Sequence, residues 1–141
     1  MSHFPISTSH FYHALHRRNS GQNGCRARAN FVAFPLYDGE YGVLKGHSPM
    51  VGRLGAGELR IKTPSGTTES YFMDGGFVEM LDDEISLLTA RAWRSSEIDP
   101  IEVQQEIDEI RSKPAITAEH AKLREETLAA CRAQLRLAKR A

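Results

Sequence analysis

Residues 37–61 interleave Gly39, Gly42, Gly46, Gly52, Gly55, Gly57 and Pro49 with short apolar runs, a pattern of strands and tight turns. Glycine tolerates positive φ at no steric cost and Asp-Gly is a favoured hairpin pair, so the chain is expected to reverse near Asp38-Gly39 and again near Gly46. Ser48-Pro49 marks a further bend. The segment Gly52-Arg53-Leu54-Gly55-Ala56-Gly57 invites comparison with a phosphate cradle. It lacks the Gly-Lys-Ser/Thr ending of a P-loop and leads into a strand, so no helix dipole backs its N–H groups. It is expected to be a structural turn.

The flanking residues extend the strand reading. Asn30-Phe31-Val32-Ala33-Phe34 is aromatic and β-branched, ends at Pro35, and should pair across the Asp38-Gly39 turn with Tyr41-Gly42-Val43-Leu44. Residues 57–63 alternate, with Leu59 and Ile61 inward and Glu58, Arg60 and Lys62 toward water. Pro64-Ser65-Gly66 turns the chain, residues 68–73 return it, and Asp74-Gly75-Gly76 turns it again. Residues 77–81 and 84–89, split by Asp82-Asp83, make the next pair. Short strands with no helical crossover between them predict an antiparallel β-sandwich whose two sheets bury Leu59, Ile61, Phe72, Val78, Ile85 and Leu87.

After Trp93 the periodicity becomes helical. Asp99 is a good N-cap, Pro100 suits the first turn, and Glu102 completes a capping box. Val103, Ile107 and Ile110 form one apolar stripe, and Lys113-Pro114 ends the helix. Thr117 caps a second helix over residues 118–139, with Ala121, Leu128, Cys131 and Leu135 on one side. The short link makes an antiparallel hairpin, and Ala129, Ala130 and Ala133 would let its helices approach closely. The organisation is thus a basic, poorly legible segment over 1–28, a β-sandwich over 29–94 and a helical hairpin over 95–141.

A chain of 141 residues with 40% hydrophobic content can bury one core and a small appendage. Its 18 basic and 18 acidic residues cancel, which removes the cationic excess that would make nucleic acid the default partner. The charge is unevenly placed: no acid precedes Asp38, while Arg17, Arg18, Arg26 and Arg28 do. That start can be read as a transit peptide, a diverged start or a disordered basic arm, the last two together favoured. If it supplies no strand, Phe31 to Phe34 becomes an exposed apolar edge. His10, His13 and His16 share a helical spacing, but a solvated stretch is favoured over a zinc site. Cys25 and Cys131 form no Cys-x-x-Cys pair, so neither a zinc site nor a disulfide framework is indicated. No apolar run approaches the ~20 residues that cross a bilayer. Catalysis has no constellation either: His47 lies near Glu40 and Ser48 without a nucleophile elbow or a positioned acid.

Several motifs occur in a fixed order: Asp38-Gly39-Glu40-Tyr41-Gly42, then Gly46-His47-Ser48-Pro49, then Gly55-Ala56-Gly57-Glu58-Leu59-Arg60-Ile61. Asp74-Gly75-Gly76-Phe77-Val78-Glu79-Met80 and Ile85-Ser86-Leu87-Leu88-Thr89-Ala90 follow. From about Ala29 to the end, this series resembles the ε subunit of the bacterial-type rotary ATP synthase. The resemblance implies the same sandwich and hairpin in a non-catalytic rotor subunit without cofactor or metal. Its implied place is between the central γ shaft and the membrane ring of c subunits, on the cytoplasmic face of the inner membrane and without inserting. Asp38, Glu40, Tyr41 and His47 would then contact the ring.

The hairpin carries the further implications. Relatives bind ATP through Ile/Leu-Asp-x-x-Arg-Ala, and this chain keeps Ile98 and Asp99 but places Glu102 and Val103 where Arg and Ala belong. A carboxylate there repels phosphate, so ATP binding is expected to be weak or absent. Relatives also regulate hydrolysis by extending the hairpin along the shaft, where basic residues meet an acidic segment of the catalytic β subunit. Arg132, Arg136 and Arg140 recur at four-residue steps and could serve, and in the folded-back state they are expected to pair with Glu102 and Glu106. The reading from another class is a small nucleic-acid-binding β protein using the basic N-terminal arm, with salt-sensitive binding.

Overall fold

The computed structural model describes residues 2–7 (as backbone), 28–44, 46–82, 84–89 and 91–141. Its strands are β1 (Ser2–Ser7), β2 (Phe31–Leu36), β3 (Gly39–Val43), β4 (Met50–Lys62), β5 (Thr68–Leu81), β6 (Glu84–Thr89) and β7 (Ala92–Arg94). A short 3-10 turn, Ser95–Glu97, leads to helices α1 (Pro100–Ser112) and α2 (Ala118–Ala138). The strands are hydrogen-bonded antiparallel in the order β1-β6-β5-β4-β2-β3, with β7 added to β5. The expected sandwich followed by a helical hairpin is what forms.

The Asp38-Gly39 hairpin closes with Leu36 opposite Gly39 and Val32 opposite Val43, as the turn chemistry requires. Two other glycine segments behave differently from the turns expected of them. Gly52 to Gly57 lies inside β4, and Asp74-Gly75-Gly76 lies inside β5, so each strand runs through its glycines without reversing. What changes there is the side that faces the core. In β4 the buried positions are Leu54, before Gly55, and Leu59 and Ile61, after Gly57, which differ in parity. In β5 they pass from Tyr71 and Met73 to Val78 and Met80. A one-residue slip exchanges the two faces of a strand, and paired slips bend the sheet over onto itself.

Each bend has a steric reason. Gly75 and Gly76 take φ of 72° and 120°, and a Cβ on Gly76 would stand 1.9 Å from the Leu88 carbonyl oxygen. On β4, a Cβ on Gly55 would stand 2.7 Å from the carbonyl oxygen of Leu36. Buried Thr89 donates its hydroxyl to the Gly75 carbonyl at 2.8 Å, which satisfies a group that the slip leaves without a ladder partner.

The folded sheet encloses one core containing Val32, Phe34, Leu54, Leu59, Ile61, Met73, Val78, Ile85 and Leu87. Phe72, expected among them, points the other way. It stacks on Trp93, ring centroids 5.8 Å apart, and packs under Ala130, Ala133 and Leu137 of α2. Two further expectations fall here. The sandwich is not confined to 29–94, because Ser2–Ser7 pairs with β6 from within the segment that the sequence left illegible. Phe31 to Phe34 is no exposed edge either, since β2 lies between β4 and β3 and Val32, Ala33 and Phe34 are fully buried.

The hairpin forms as its caps dictate. Asp99 accepts from the Ile101 N–H at 2.8 Å, one residue short of the Glu102 amide that a capping box would use. Thr117 accepts from the His120 N–H at 3.1 Å, and Lys113 ends α1 ahead of Pro114. Helix α2 buries two faces. Leu128 and Cys131 meet Val103 and Ile107 of α1, whereas Ala130 and Ala133 face the sandwich and do not seal the helix pair as expected. Ala129 is exposed.

Candidate functional site

Three surfaces carry the candidate residues. The first is the end of the sandwich at the β2–β3 turn. Asp38 stands exposed there, and Tyr41, 40% exposed, stacks on Phe34 at 5.8 Å. Glu40 is drawn sideways into an ion pair with Arg60 of β4. The chain leaves β3 at Val43, beside Val32, and re-enters the sheet at Met50, beyond the level where the Tyr37 N–H meets the Arg53 carbonyl. His47 lies in the connection between these two levels. His47 is half-buried and donates Nδ1–H to the Ser48 carbonyl at 3.3 Å.

The second surface was missed in the sequence. Beyond the bend, β4 and β5 turn Val51, Arg53, Phe77, Glu79 and Leu81 outward, with Val51 opposite Glu79 and Arg53 opposite Phe77. Val51 is 77% exposed, and Phe77 and Leu81 are each half-exposed. Tyr37 extends the row, its ring 4.7 Å from the Arg53 guanidinium. An apolar row of this kind on a sheet face marks an interaction surface more often than a lone exposed leucine does. The signal was present in the sequence: once Val78 and Met80 are placed in the core, Phe77 and Leu81 must face outward.

The third surface is the hairpin. Ile98 is half-buried between helices and sandwich, and the Asp99 side chain is engaged as the cap. Glu102 is exposed and Val103 is buried against α2. At the opposite end of α1 a cleft of about 260 Å³ is lined by Ile110, Pro114, His120, Leu123 and Arg124. Beside it, Lys113 bonds Glu109 at 2.6 Å and holds that carboxyl below the usual carboxylate range. Burial, with Glu106 and Asp74 nearby, pushes the Cys131 thiol above its ordinary range, so it stays protonated.

The arginine stripe does not pair as expected. Arg132 reaches Glu125 of its own helix at 3.0 Å, and Arg140 reaches Glu58 of β4 at 3.5 Å. Among the described residues Arg136, Glu102 and Glu106 make no ion pair. The reason is geometric: the stripe lies on the flank of α2 between the Leu128–Cys131 side that meets α1 and the Ala130–Ala133–Leu137 side that meets the sandwich, and Arg136 on it is exposed. His10, His13, His16, Arg17, Arg18, Cys25 and Arg26 lie outside the described residues. Among the described residues no three His, Cys, Asp or Glu side chains are grouped to hold a metal, and no helix is long and apolar enough to cross a membrane.

A bent antiparallel sandwich with a helical hairpin laid on one face is the architecture, and comparison with known proteins places it. The family described as ATP synthase, Delta/Epsilon chain, beta-sandwich domain, matches residues 23–95. The ATP synthase epsilon chain of Rhodopirellula baltica is 44% identical over 77% of this chain and 84% of its own length. That of Syntrophomonas wolfei is 30% identical over 70% of this chain and 82% of its own. A chain in the structure of the Euglena gracilis mitochondrial ATP synthase, comprising OSCP, F1 and c-ring, superposes with a TM-score of 0.69. It covers 82% of this chain and 73% of that one at 24% identity, a likeness of fold. The chain belongs to the epsilon-chain family of ATP synthase. It is thus a subunit of that complex and not a catalytic subunit on its own.

Proposed function

We propose that the chain is a rotor subunit of the central stalk, coupling ion flow through the membrane ring to ATP synthesis and restraining ATP hydrolysis through its hairpin. The observation that carries this reading is the exposed row Tyr37, Val51, Phe77 and Leu81 on the part of the sandwich that the helices leave uncovered. It fits the γ shaft. The end bearing Asp38, Glu40, Tyr41 and His47 meets the ring of c subunits, on the cytoplasmic face of the inner membrane. Torque transfer asks for a stiff body with two docking surfaces and no reactive group. Arg132, Arg136 and Arg140 serve an extended state of the hairpin in which they meet an acidic segment of the catalytic β subunit, so that hairpin position sets the hydrolysis rate.

The test uses the assembled complex. Burying a Phe side chain stabilises an interface by about 1.5–3 kcal/mol, so Phe77→Asp should release this chain from the purified complex and uncouple ATP hydrolysis from ion pumping. Retention of the variant with full coupling would sink the docking assignment. The hairpin is tested separately. Changing Arg132, Arg136 and Arg140 to Ala should raise ATP hydrolysis without loss of assembly. Unchanged hydrolysis in both that variant and a chain ending at Ser96 would remove the regulatory half of the proposal.

A further inference from the structure

Glu58 stands opposite Phe72 in the β4–β5 register, so its side chain shares the face that Ala130, Ala133 and Leu137 of α2 cover. Its side chain is only 16% exposed, and its carboxylate accepts the Ser70 hydroxyl at 2.7 Å. Among the described residues one cation reaches it, Arg140, at 3.5 Å. Arg140 is not a loose end. Its N–H donates to the Leu137 carbonyl at 3.0 Å, and that of Lys139 to Leu135 at 3.3 Å, so a turn continuous with α2 fixes its backbone. Leu137, itself buried, anchors the same turn on the sandwich.

A carboxylate largely withdrawn from water keeps its charge at a desolvation cost, which a guanidinium at ion-pair distance partly offsets. That cation arrives only when α2 lies down. We infer that Glu58 and Arg140 form the latch that holds the C-terminal end of α2 on the sandwich, and that Glu58 is the competitor for Arg140 when the hairpin extends. The latch is a property of the isolated chain. Only its regulatory use rests on the function proposed above. In this view Glu58, and not Glu102 or Glu106, sets how readily Arg140 becomes free to meet an acidic partner.

Trp93, the chain's single tryptophan, lies half-buried under α2 and reports docking through acrylamide quenching. Full-length isolated protein is measured with its native sequence and in a Leu137→Ala background, where weaker docking brings the equilibrium into range. The Arg140 side chain is 71% exposed, so Arg140→Gln should raise the undocked fraction about three- to five-fold, the upper range for a partly screened pair. The reversed pair Glu58→Lys with Arg140→Glu should return quenching to within about two-fold of its background, while Arg140→Glu alone should not. If the reversed pair quenches no less than Arg140→Glu alone, or if Arg140→Gln changes nothing in the sensitised background, the latch is overturned. In the assembled complex Glu58→Gln, which frees Arg140 without altering it, should lower ATP hydrolysis, whereas Arg140→Gln should raise it. Absence of that opposition with the Trp93 result intact would count against the regulatory reading and leave the latch standing.

Discussion

At the first turn of α1 three neighbouring side chains decide whether the hairpin can hold a nucleotide. Asp99 spends its carboxylate on the Ile101 amide, Glu102 projects into solvent, and Val103 is buried against α2. A phosphate approaching this turn therefore meets two carboxylates and no guanidinium at the position where one would be needed. Calorimetry on the full chain should show ATP binding weaker than about 1 mM, which corresponds to less than about 4 kcal/mol. Restoring an arginine with Glu102→Arg should strengthen binding. Micromolar affinity in the unaltered chain would contradict this account.

Helix α2 is the element whose sequence and structure diverge most usefully. In the sequence its apolar residues mark one side, because Leu128, Cys131 and Leu135 are large enough to declare a face. Ala130 and Ala133 form a second face whose small side chains announce nothing until Phe72 and Trp93 are seen beneath them. A direct contrast follows. Ala133→Leu should lift α2 from the sandwich and cost about 1–3 kcal/mol by overpacking, whereas exposed Ala129→Leu should stay within about 0.5 kcal/mol of native stability. Urea denaturation separates them, and equal effects would show that Ala133 is not closely packed against the sandwich. What was legible at this scale is whatever local chemistry decides: the Asp38-Gly39 hairpin, the Asp99 and Thr117 caps, and the stop before Pro114. What was not legible depends on distant partners. The same glycine pattern serves a turn or a mid-strand bend, and only the pairing of Leu54 with Gly76 makes Gly55 and Gly75 bends. β1 was invisible for the same reason, its partner β6 lying far along the chain. Of the candidate site, the charged residues could be read individually, but not the partners they take.

For the molecule as a whole the paired bends in β4 and β5 are decisive, since they turn one hydrogen-bonded sheet into a closed body with two separate outer faces. Gly76 is the tightest point. A methyl there, 1.9 Å from the Leu88 carbonyl oxygen, must displace backbone rather than a flexible side chain. Gly76→Ala should therefore cost at least about 3 kcal/mol in chemical denaturation, and stability within about 1 kcal/mol of native would show that the bend can relax. The continuity of β5 through that bend also has a mechanical meaning. Phe72, under the hairpin, and Phe77, in the uncovered row, belong to one unbroken strand, so a load applied at either face travels along covalent backbone rather than across a loop.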